Sequence, residues 1–138
     1  AMAKGADVVI ASRFQRGATV RGVPALRRLT ALGALTLFKL IHPVRNVWDY
    51  TCGYRAYRTG VLQDAAARFG SRMVEETGFA CMVEVLLKLN AAGARCAEVG
   101  LHLRYDLKPT ASKMAVSSNL RRLLALLVRW RWRGFDAA

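Results

Sequence analysis

The chain is poor in acidic residues, in cysteine and in uninterrupted apolar sequence, and each shortage excludes a class of protein. It has 9 acidic residues against 22 lysines and arginines, which gives a net charge of +13. The three cysteines form no Cys-x-x-Cys pair and no cluster with histidine, so we predict reduced thiols of a cytosolic protein, with neither a zinc site nor a disulfide framework. The mainly apolar residues 29–41 are too few and too interrupted for a transmembrane helix, which needs about 20 apolar residues.

What the chain does have is enough apolar sequence for a folded domain. Its 138 residues are 54% hydrophobic, which excludes a disordered chain and predicts one domain at most. The basic excess indicates a polyanionic partner, which can be nucleic acid, an anionic membrane surface or a phosphorylated ligand.

The order of the predicted elements indicates an α/β fold. A short β-branched run, typical of a buried parallel strand, comes first, and Pro24 suits the first turn of a helix. Gly93 closes a later helical pattern. The predicted strands cover about Ala6–Ala11, Ala56–Arg58 and Arg95–Tyr105, and the predicted helices about Pro24–Ile41, Thr59–Phe69, Phe79–Asn90 and Ser118–Arg133.

The last predicted helix is amphipathic. At about 100° per residue, one face carries Leu120, Leu123, Leu124, Leu127, Val128 and Trp130. Arg122, Arg129 and Arg133 fall on the other face. This pattern predicts a helix that lies on anionic lipid with its leucines and tryptophans in the bilayer. An ordinary helix packed on the domain explains it as well.

A seven-residue motif from Asp49 to Arg55 brings together a carboxylate, a hydroxyl, a glycine and an arginine. Gly53 permits a close approach of backbone to ligand. Arg55 can hold an anion in a planar fork, and Asp49 can orient a hydroxyl, a metal or that arginine. An internal Asp–Arg pair that closes a loop explains the same residues, and both interpretations stay open.

Four segments, in order and spacing, carry a resemblance to a known family. They are residues 5–14 (GADVVIASRF), residues 49–57 (DYTCGYRAY), Gly78-Phe79 with Glu84, and Glu98-Val99 followed by Arg104 and Ser112-Lys113. Together they resemble the family-2 glycosyltransferases that make polyprenyl-phosphate or dolichyl-phosphate sugars. The resemblance implies the C-terminal half of a GT-A-like catalytic domain in residues 1–116. That half has a partial mixed sheet with flanking helices, and residues 117–138 form a basic amphipathic helix.

The Asp-x-Asp motif, which in that family holds the metal and the sugar nucleotide, has no counterpart in the sequence. We therefore expect a fragment or one part of a split enzyme that is inactive alone. The intact enzyme would use Mg²⁺ or Mn²⁺, with the metal ligands outside this segment. An exposed sheet edge would remain, which invites a homodimer or pairing with the missing N-terminal half.

The resemblance implies hexose transfer from a nucleotide sugar to a polyprenyl phosphate, by a peripheral protein at the cytoplasmic face of a membrane. Both substrates are polyanions, so the site needs fixed cations. Arg13 would bind the donor diphosphate. The acceptor phosphate would meet Arg27 or Arg28 at the start of the apolar helix, although a solvated helix face explains these two equally well. Arg104, Ser112 and Lys113 resemble a loop that grips the same phosphate, but Thr110 replaces the usual glycine before the Ser-Lys pair.

Asp49 is the predicted catalytic carboxylate. Because the acceptor phosphate is already ionised at neutral pH, Asp49 would position a substrate or metal rather than remove a proton. Thr51, Gly53, Arg55 and Glu84 would support it, with Arg55 organising the carboxylate or binding phosphate. Glu84 lies on an apolar helix, where we expect a structural ion pair with an arginine.

Two other classes of function fit the charge. A basic nucleic-acid-binding module is one, since phosphates dominate such binding. The basic residues are scattered, however, and no helix-turn-helix, zinc-finger or RNA-recognition signature occurs, so we predict no nucleic-acid partner. The other is a membrane-surface adaptor without catalysis, in which the last helix is the whole function.

Overall fold

A computed structural model describes residues 1–78, 80–107 and 116–134, apart from the side chains of Leu26, Arg27, Arg133 and residues 116–120. The strands are β1 (Val8–Ser12), β2 (Thr19–Arg21), β3 (Arg55–Tyr57), β4 (Cys96–Gly100) and β5 (His102–Arg104). The helices are α1 (Ala25–Ile41), α2 (Thr59–Phe69), α3 (Ala80–Ala91) and α4 (Val116–Arg133). The α/β class with a partial mixed sheet is confirmed.

β1 is the centre of a three-stranded sheet in the order β3-β1-β4. β3 runs antiparallel to it, with Val9 opposite Ala56, and β4 runs parallel to it, with Ile10 opposite Glu98. Within the described residues, β3 and β4 each pair with β1 alone, so neither outer edge of this sheet has a further strand. Such edges offer unpaired backbone groups to another segment or chain.

β2 and β5 form a second, parallel sheet, which the sequence pattern did not predict. The predicted strand Arg95–Tyr105 is wrong in this respect, because it breaks at Leu101 into β4 and β5. Gly100 ends β4 where the loop after β1 crosses it: a Cβ on Gly100 would lie 3.0 Å from the carbonyl oxygen of Arg16. Each strand of this sheet has three residues and one half-buried apolar side chain, which is too short an alternation to reveal it.

The core lies between the three-stranded sheet and the helices. Val8 and Ile10 of β1 are fully buried, as expected for alternate residues on one face of a strand. α3 contributes Val83, Leu86, Leu87 and Leu89 to the same core cluster. Full burial of one such side chain contributes about 1.5–3 kcal/mol. α1 adds Phe38, whose ring stacks on Tyr50 with 5.1 Å between centroids.

α4 packs on this core, which corrects the predicted helix wheel. Leu123, Leu126, Leu127 and Trp130 are buried, so three of the side chains assigned to the bilayer face the protein instead. An outer apolar stripe remains, in which Leu124, Val128 and Trp132 are 40%, 56% and 84% exposed. The assignment of Leu123, Leu127 and Trp130 to the bilayer is wrong because α4 has two apolar faces, and one of them packs on the core. Contact of the outer face with a membrane stays a prediction. None of the helices in the described residues has the length and hydropathy to cross a membrane.

Candidate functional site

Arg13 and Asp49 form the centre of the candidate site. Arg13 follows β1 directly, at the carboxyl end of a central strand, where ligands bind in open α/β sheets. Its Nε and Nη2 donate to the two carboxylate oxygens of Asp49, at 2.7 and 2.6 Å, and its backbone N–H donates to Oδ2 at 3.1 Å. Asp49 is fully buried, whereas the Arg13 side chain is 25% exposed. Within the described residues, Nη1 of Arg13 makes no hydrogen bond.

The electrostatics of the pair keep Asp49 ionised. Burial favours the neutral acid, but the hydrogen bonds and charge of Arg13, with backbone bonds from Arg13 and Thr51, outweigh it and lower the pKa of the Asp49 carboxyl. The bond to Asp49 in turn raises the pKa of Arg13. A carboxylate with a lowered pKa is a poor proton acceptor at neutral pH, so this geometry suits positioning rather than general-base catalysis.

The other residues of the Asp49 motif support the loop. The Thr51 hydroxyl accepts from Arg13 Nη2 at 2.6 Å and lies 3.3 Å from Asp49 Oδ1. The internal Asp49–Arg55 pair, one of the two interpretations left open by the sequence, does not form: Arg55 donates instead to the carbonyl oxygens of Tyr50, at 2.7 Å, and of Met82. The Asp49 oxygens already accept from Arg13, so Arg55 donates to backbone carbonyl oxygens instead. At Gly53 a Cβ would lie 2.5 Å from the Met82 methyl group, so the close neighbour there is a side chain.

A cleft of about 250 Å³ opens beside the Arg13–Asp49 pair. Its walls come from the end of β1, from β2 and from the start of α1, and are formed by Arg13, Phe14, Val20, Val23, Arg28, Ala31 and Leu32. Two cations therefore lie in an otherwise apolar lining that contains no acidic residue. The structure brings the predicted donor residue Arg13 and the predicted acceptor residue Arg28 to one cleft. The side chain of Arg27 lies outside the described part of the chain.

The predicted phosphate-gripping loop is described only at its start. Arg104 on β5 donates to Asp106 through Nε and Nη2, at 2.8–3.1 Å. Arg104 lies opposite Arg21 in the β2-β5 register, next to the cleft residue Val20. Ser112 and Lys113, together with Lys108 and Thr110, lie outside the described residues, so their predicted role remains a prediction.

Glu84 belongs to a separate ion pair, and the expected arginine partner is wrong. Its Oε1 accepts from Lys88, one helical turn away on α3, at 2.8 Å. Its Oε2 accepts the backbone N–H groups of Glu75 and Glu76 at 3.0 and 2.7 Å. Lysine is favoured because the i,i+4 spacing on one helix places it directly above the glutamate. Glu84 therefore holds the loop before α3, and nothing brings it to the cleft.

Sequence reasoning gave no role to Glu98, which contacts the Asp49 loop from β4. Its Oε1 accepts the backbone N–H of Asp49 at 2.6 Å. A glutamate among alternating residues of a strand gives no signal that it will bond to a loop 49 residues earlier, so only the tertiary structure reveals this contact.

The described residues offer no obvious set of metal ligands. No group of three or more His, Cys, Asp or Glu side chains comes close enough together within them to hold an ion. Asp49 already accepts two side-chain bonds from Arg13. The metal implied by the family resemblance thus does not fit the part of the site that is described.

The curated proteins that are similar to this chain include two mannose-transferring enzymes, and no family model matches it. Over 130 residues, 94% of the chain, it is 30% identical to the polyprenol monophosphomannose synthase of Mycolicibacterium smegmatis. Over 89 residues, 64% of the chain, it is 28% identical to the dolichol-phosphate mannosyltransferase of Pyrococcus furiosus. The matches span 46% and 23% of those two proteins. The chain is thus a relative, over part of their length, of the family-2 glycosyltransferases of the polyprenyl-phosphate sugar synthase type.

Proposed function

We propose that this chain is part of a glycosyltransferase that moves a hexose from a nucleotide sugar to the phosphate of a polyprenyl lipid. By analogy with the names of both relatives, the hexose is mannose. The observation that carries the proposal is the cleft with Arg13 and Arg28 in an apolar lining. A ligand that joins an anionic group to a hydrocarbon chain satisfies both parts of that lining.

The residues have separate tasks in this proposal. Arg13 binds the donor diphosphate through Nη1, the edge of its guanidinium that Asp49 does not use. Arg28 meets the acceptor phosphate at the start of α1. Asp49, held ionised, orients Arg13 and the reacting groups between the two phosphate positions. Fixed cations stabilise the charge that develops on the diphosphate leaving group.

The whole enzyme in this proposal has a GT-A-like fold, and the sheet of this chain continues at a free edge of β3 or β4. The continuing strand comes from the missing N-terminal half or from a second copy of the chain. Mg²⁺ or Mn²⁺ is bound outside this segment. The isolated chain is accordingly expected to bind anionic ligands weakly and to transfer no sugar.

The protein face proposed to bind the membrane is formed by α1 and α4. On α1, Leu29, Leu32 and Leu40 are 67%, 48% and 77% exposed, on the same helix as Arg28. On α4, the outer stripe of Leu124, Val128 and Trp132 is flanked by the exposed Arg121 and Arg131. Apolar side chains next to arginines suit the interface of an anionic bilayer, here the cytoplasmic leaflet. A lipid phosphate at that interface lies within reach of the cleft.

A chimera tests the proposed function without any assumption about where the natural protein ends. The 130 aligned residues of this chain replace their counterparts in the mycobacterial relative, and transfer of labelled mannose to polyprenyl phosphate in vesicles is measured. We expect transfer by the chimera and none by this chain alone. A well-folded chimera that binds the nucleotide sugar but transfers nothing would contradict the proposal, and so would transfer that survives Arg13→Ala and Asp49→Asn together.

A further inference from the structure

Glu98 holds both segments that supply the Arg13–Asp49 pair. Its Oε1 accepts the backbone N–H groups of Trp48 and Asp49, at 2.7 and 2.6 Å. Its Oε2 accepts the side-chain amide of Gln15, two residues after Arg13, at 3.2 Å. A single carboxylate on β4 therefore ties the loop that carries Asp49 to the loop that carries Arg13.

We propose that Glu98 is a positioning residue, which acts through the backbone of Asp49 to align that carboxylate with the guanidinium of Arg13. Two adjacent N–H groups on one carboxylate oxygen form charge-assisted bonds, which are short and strong. Glu98 is itself fixed by the parallel register of β4 with β1, opposite Ile10. The rigid sheet thus sets the placement of a site built from loops.

The alignment of the Arg13 guanidinium with the Asp49 carboxylate depends on the hydrogen bonds that Glu98 accepts. Arg13 donates to Asp49 from three groups, Nε, Nη2 and the backbone N–H. All three bonds are retained only while the backbone of both residues stays in place, since a functional group must be held within about 0.5 Å of its working position. The inference rests on the proposed function for its catalytic meaning, while the geometry itself is testable on this chain alone.

The test is the titration of the Asp49 carboxyl by carbon NMR in the full 138-residue chain, compared with Glu98→Ala. Apart from Glu98, the titratable or charged groups that act on Asp49 are Arg13, from the loop after β1, and the Cys52 thiol. Loss of the negative charge of Glu98 by itself would lower the pKa of Asp49. Loss of alignment with Arg13 would raise it. We expect a rise, and because the two effects have opposite signs, the direction distinguishes positioning from simple charge removal.

Amide hydrogen exchange at Trp48 and Asp49 provides the second readout. In Glu98→Ala we expect exchange at these two amides to be at least about tenfold faster, the factor for a lost bond to a charged acceptor. Glu98→Gln keeps an acceptor oxygen and should restore most of the protection and the low pKa of Asp49. Asp64→Asn, which removes an exposed charge on α2, is the matched control and should change neither quantity.

The outcomes separate this inference from the proposed function. Unchanged protection at Trp48 and Asp49 in Glu98→Ala, or a fall in the pKa of Asp49, would overturn the positioning role. Should Glu98→Ala not fold, Glu98→Asp takes its place, because it keeps the charge but withdraws the carboxylate by one methylene from the amides of Trp48 and Asp49. Exchange at these amides in Glu98→Asp that matches the wild type would overturn the positioning role equally. In the mannosyl-transfer chimera we expect Glu98→Ala to lower kcat while the donor KM stays the same. NMR changes as expected with no transfer by any chimera would contradict only the proposed function.

Discussion

Two ion pairs with a fully buried carboxylate differ in what surrounds their cation. In the pair of Glu84 and Lys88, the lysine side chain is only 2% exposed and also bonds to Glu75 and to the carbonyl oxygen of Arg72. In the pair of Asp49 and Arg13, the arginine remains 25% exposed at the wall of a cleft. The first pair is enclosed by protein, and the second is open to a ligand.

The difference shows that a buried carboxylate alone does not mark a functional site. Glu84 accepts hydrogen bonds from Lys88 and from two backbone N–H groups, so its role is to hold the loop before α3 in place. Asp49 accepts from Nε and Nη2 of Arg13, and within the described residues Nη1 of that arginine makes no hydrogen bond. Because the buried Asp49 fixes Arg13, the accessible guanidinium is already oriented to bind an anion. The pair also avoids the free-energy cost of a buried charge without a partner.

The largest expected effect comes from breaking the enclosed pair. Glu84→Ala leaves the buried ammonium of Lys88 without its buried carboxylate, with the more exposed Glu75 and a backbone carbonyl as its remaining partners. It also removes the acceptor of two backbone N–H groups. We expect the free energy of unfolding to fall by about 3–5 kcal/mol, measured by urea denaturation. The double variant Glu84→Leu with Lys88→Met should recover much of that loss. A Glu84→Ala protein of wild-type stability would show that the pair is not enclosed as described.

The next effect concerns the open pair and appears in turnover. In the chimera, Asp49→Asn should reduce mannosyl transfer on the order of 100-fold, since misplaced groups slow catalysis by that order. Affinity for the nucleotide sugar should stay the same, because Arg13 still provides the cation. Asp7→Asn is the control: it also removes a carboxylate paired with an arginine, Arg95 at 3.1 Å, away from the cleft. Equal losses of mannosyl transfer in both variants would show that Asp49→Asn acts only by destabilising the fold.

A smaller effect is expected on donor affinity and acid stability when the arginine is removed. Arg13→Ala should weaken nucleotide-sugar binding by about 1.5–3 kcal/mol in calorimetry, the range for a bond to a charged group. Arg28→Ala should leave donor binding intact.

The same variant changes how stability depends on pH. In the wild type the pKa of Asp49 is lowered by folding, so its contribution to stability is present above about pH 3.9, the ordinary aspartate pKa, and is lost as pH falls through the lower folded value. Without Arg13, burial dominates and raises that pKa above the unfolded value, so the sign of the contribution reverses. Ionised Asp49 then destabilises the fold at neutral pH, and this loss is relieved as pH falls and the carboxylate is protonated. The gap in stability between wild type and Arg13→Ala should therefore be widest near neutral pH and narrow towards acid pH. Identical pH profiles of urea midpoints would contradict the assigned cause of the shift.

The smallest expected effect is at the membrane surface. Replacing Val128 and Trp132 by serine should weaken binding to anionic vesicles by a few kcal/mol at most, measured by co-sedimentation. Arg131→Gln should make the free energy of binding less favourable by about 1 kcal/mol and remove the part of its salt dependence that this charge causes. Val74→Ser, at a side chain that is 51% exposed outside α4, is the control. A truncation at Val116 would also remove the core residues Leu123 and Leu127, so the surface variants are the cleaner test. Binding that ignores lipid charge would contradict the proposal.

Much of the fold was predictable from local pattern. The bounds of α2 agree with the predicted range, and those of α1 differ by one residue, because Pro24 and Gly70 mark helix ends through backbone geometry that any reader of the sequence can recognise. β2 was missed, since a strand of three residues with a single half-buried side chain exists only through its pairing with β5. The break at Gly100 was missed because its cause is a loop more than 80 residues away.

The sequence alone determined the α/β class, the family resemblance and the identity of Arg13 and Asp49 as candidates, because residue types and local periodicity carry that information. Only the tertiary structure decided that Arg13, and not Arg55, meets Asp49. It also turned three of the predicted membrane-facing residues of α4 into core. The lysine partner of Glu84 is different, because its i,i+4 spacing is present in the sequence. The physical reason for the first two is that long-range ion pairs and burial depend on distances across the fold, which chain order does not encode locally.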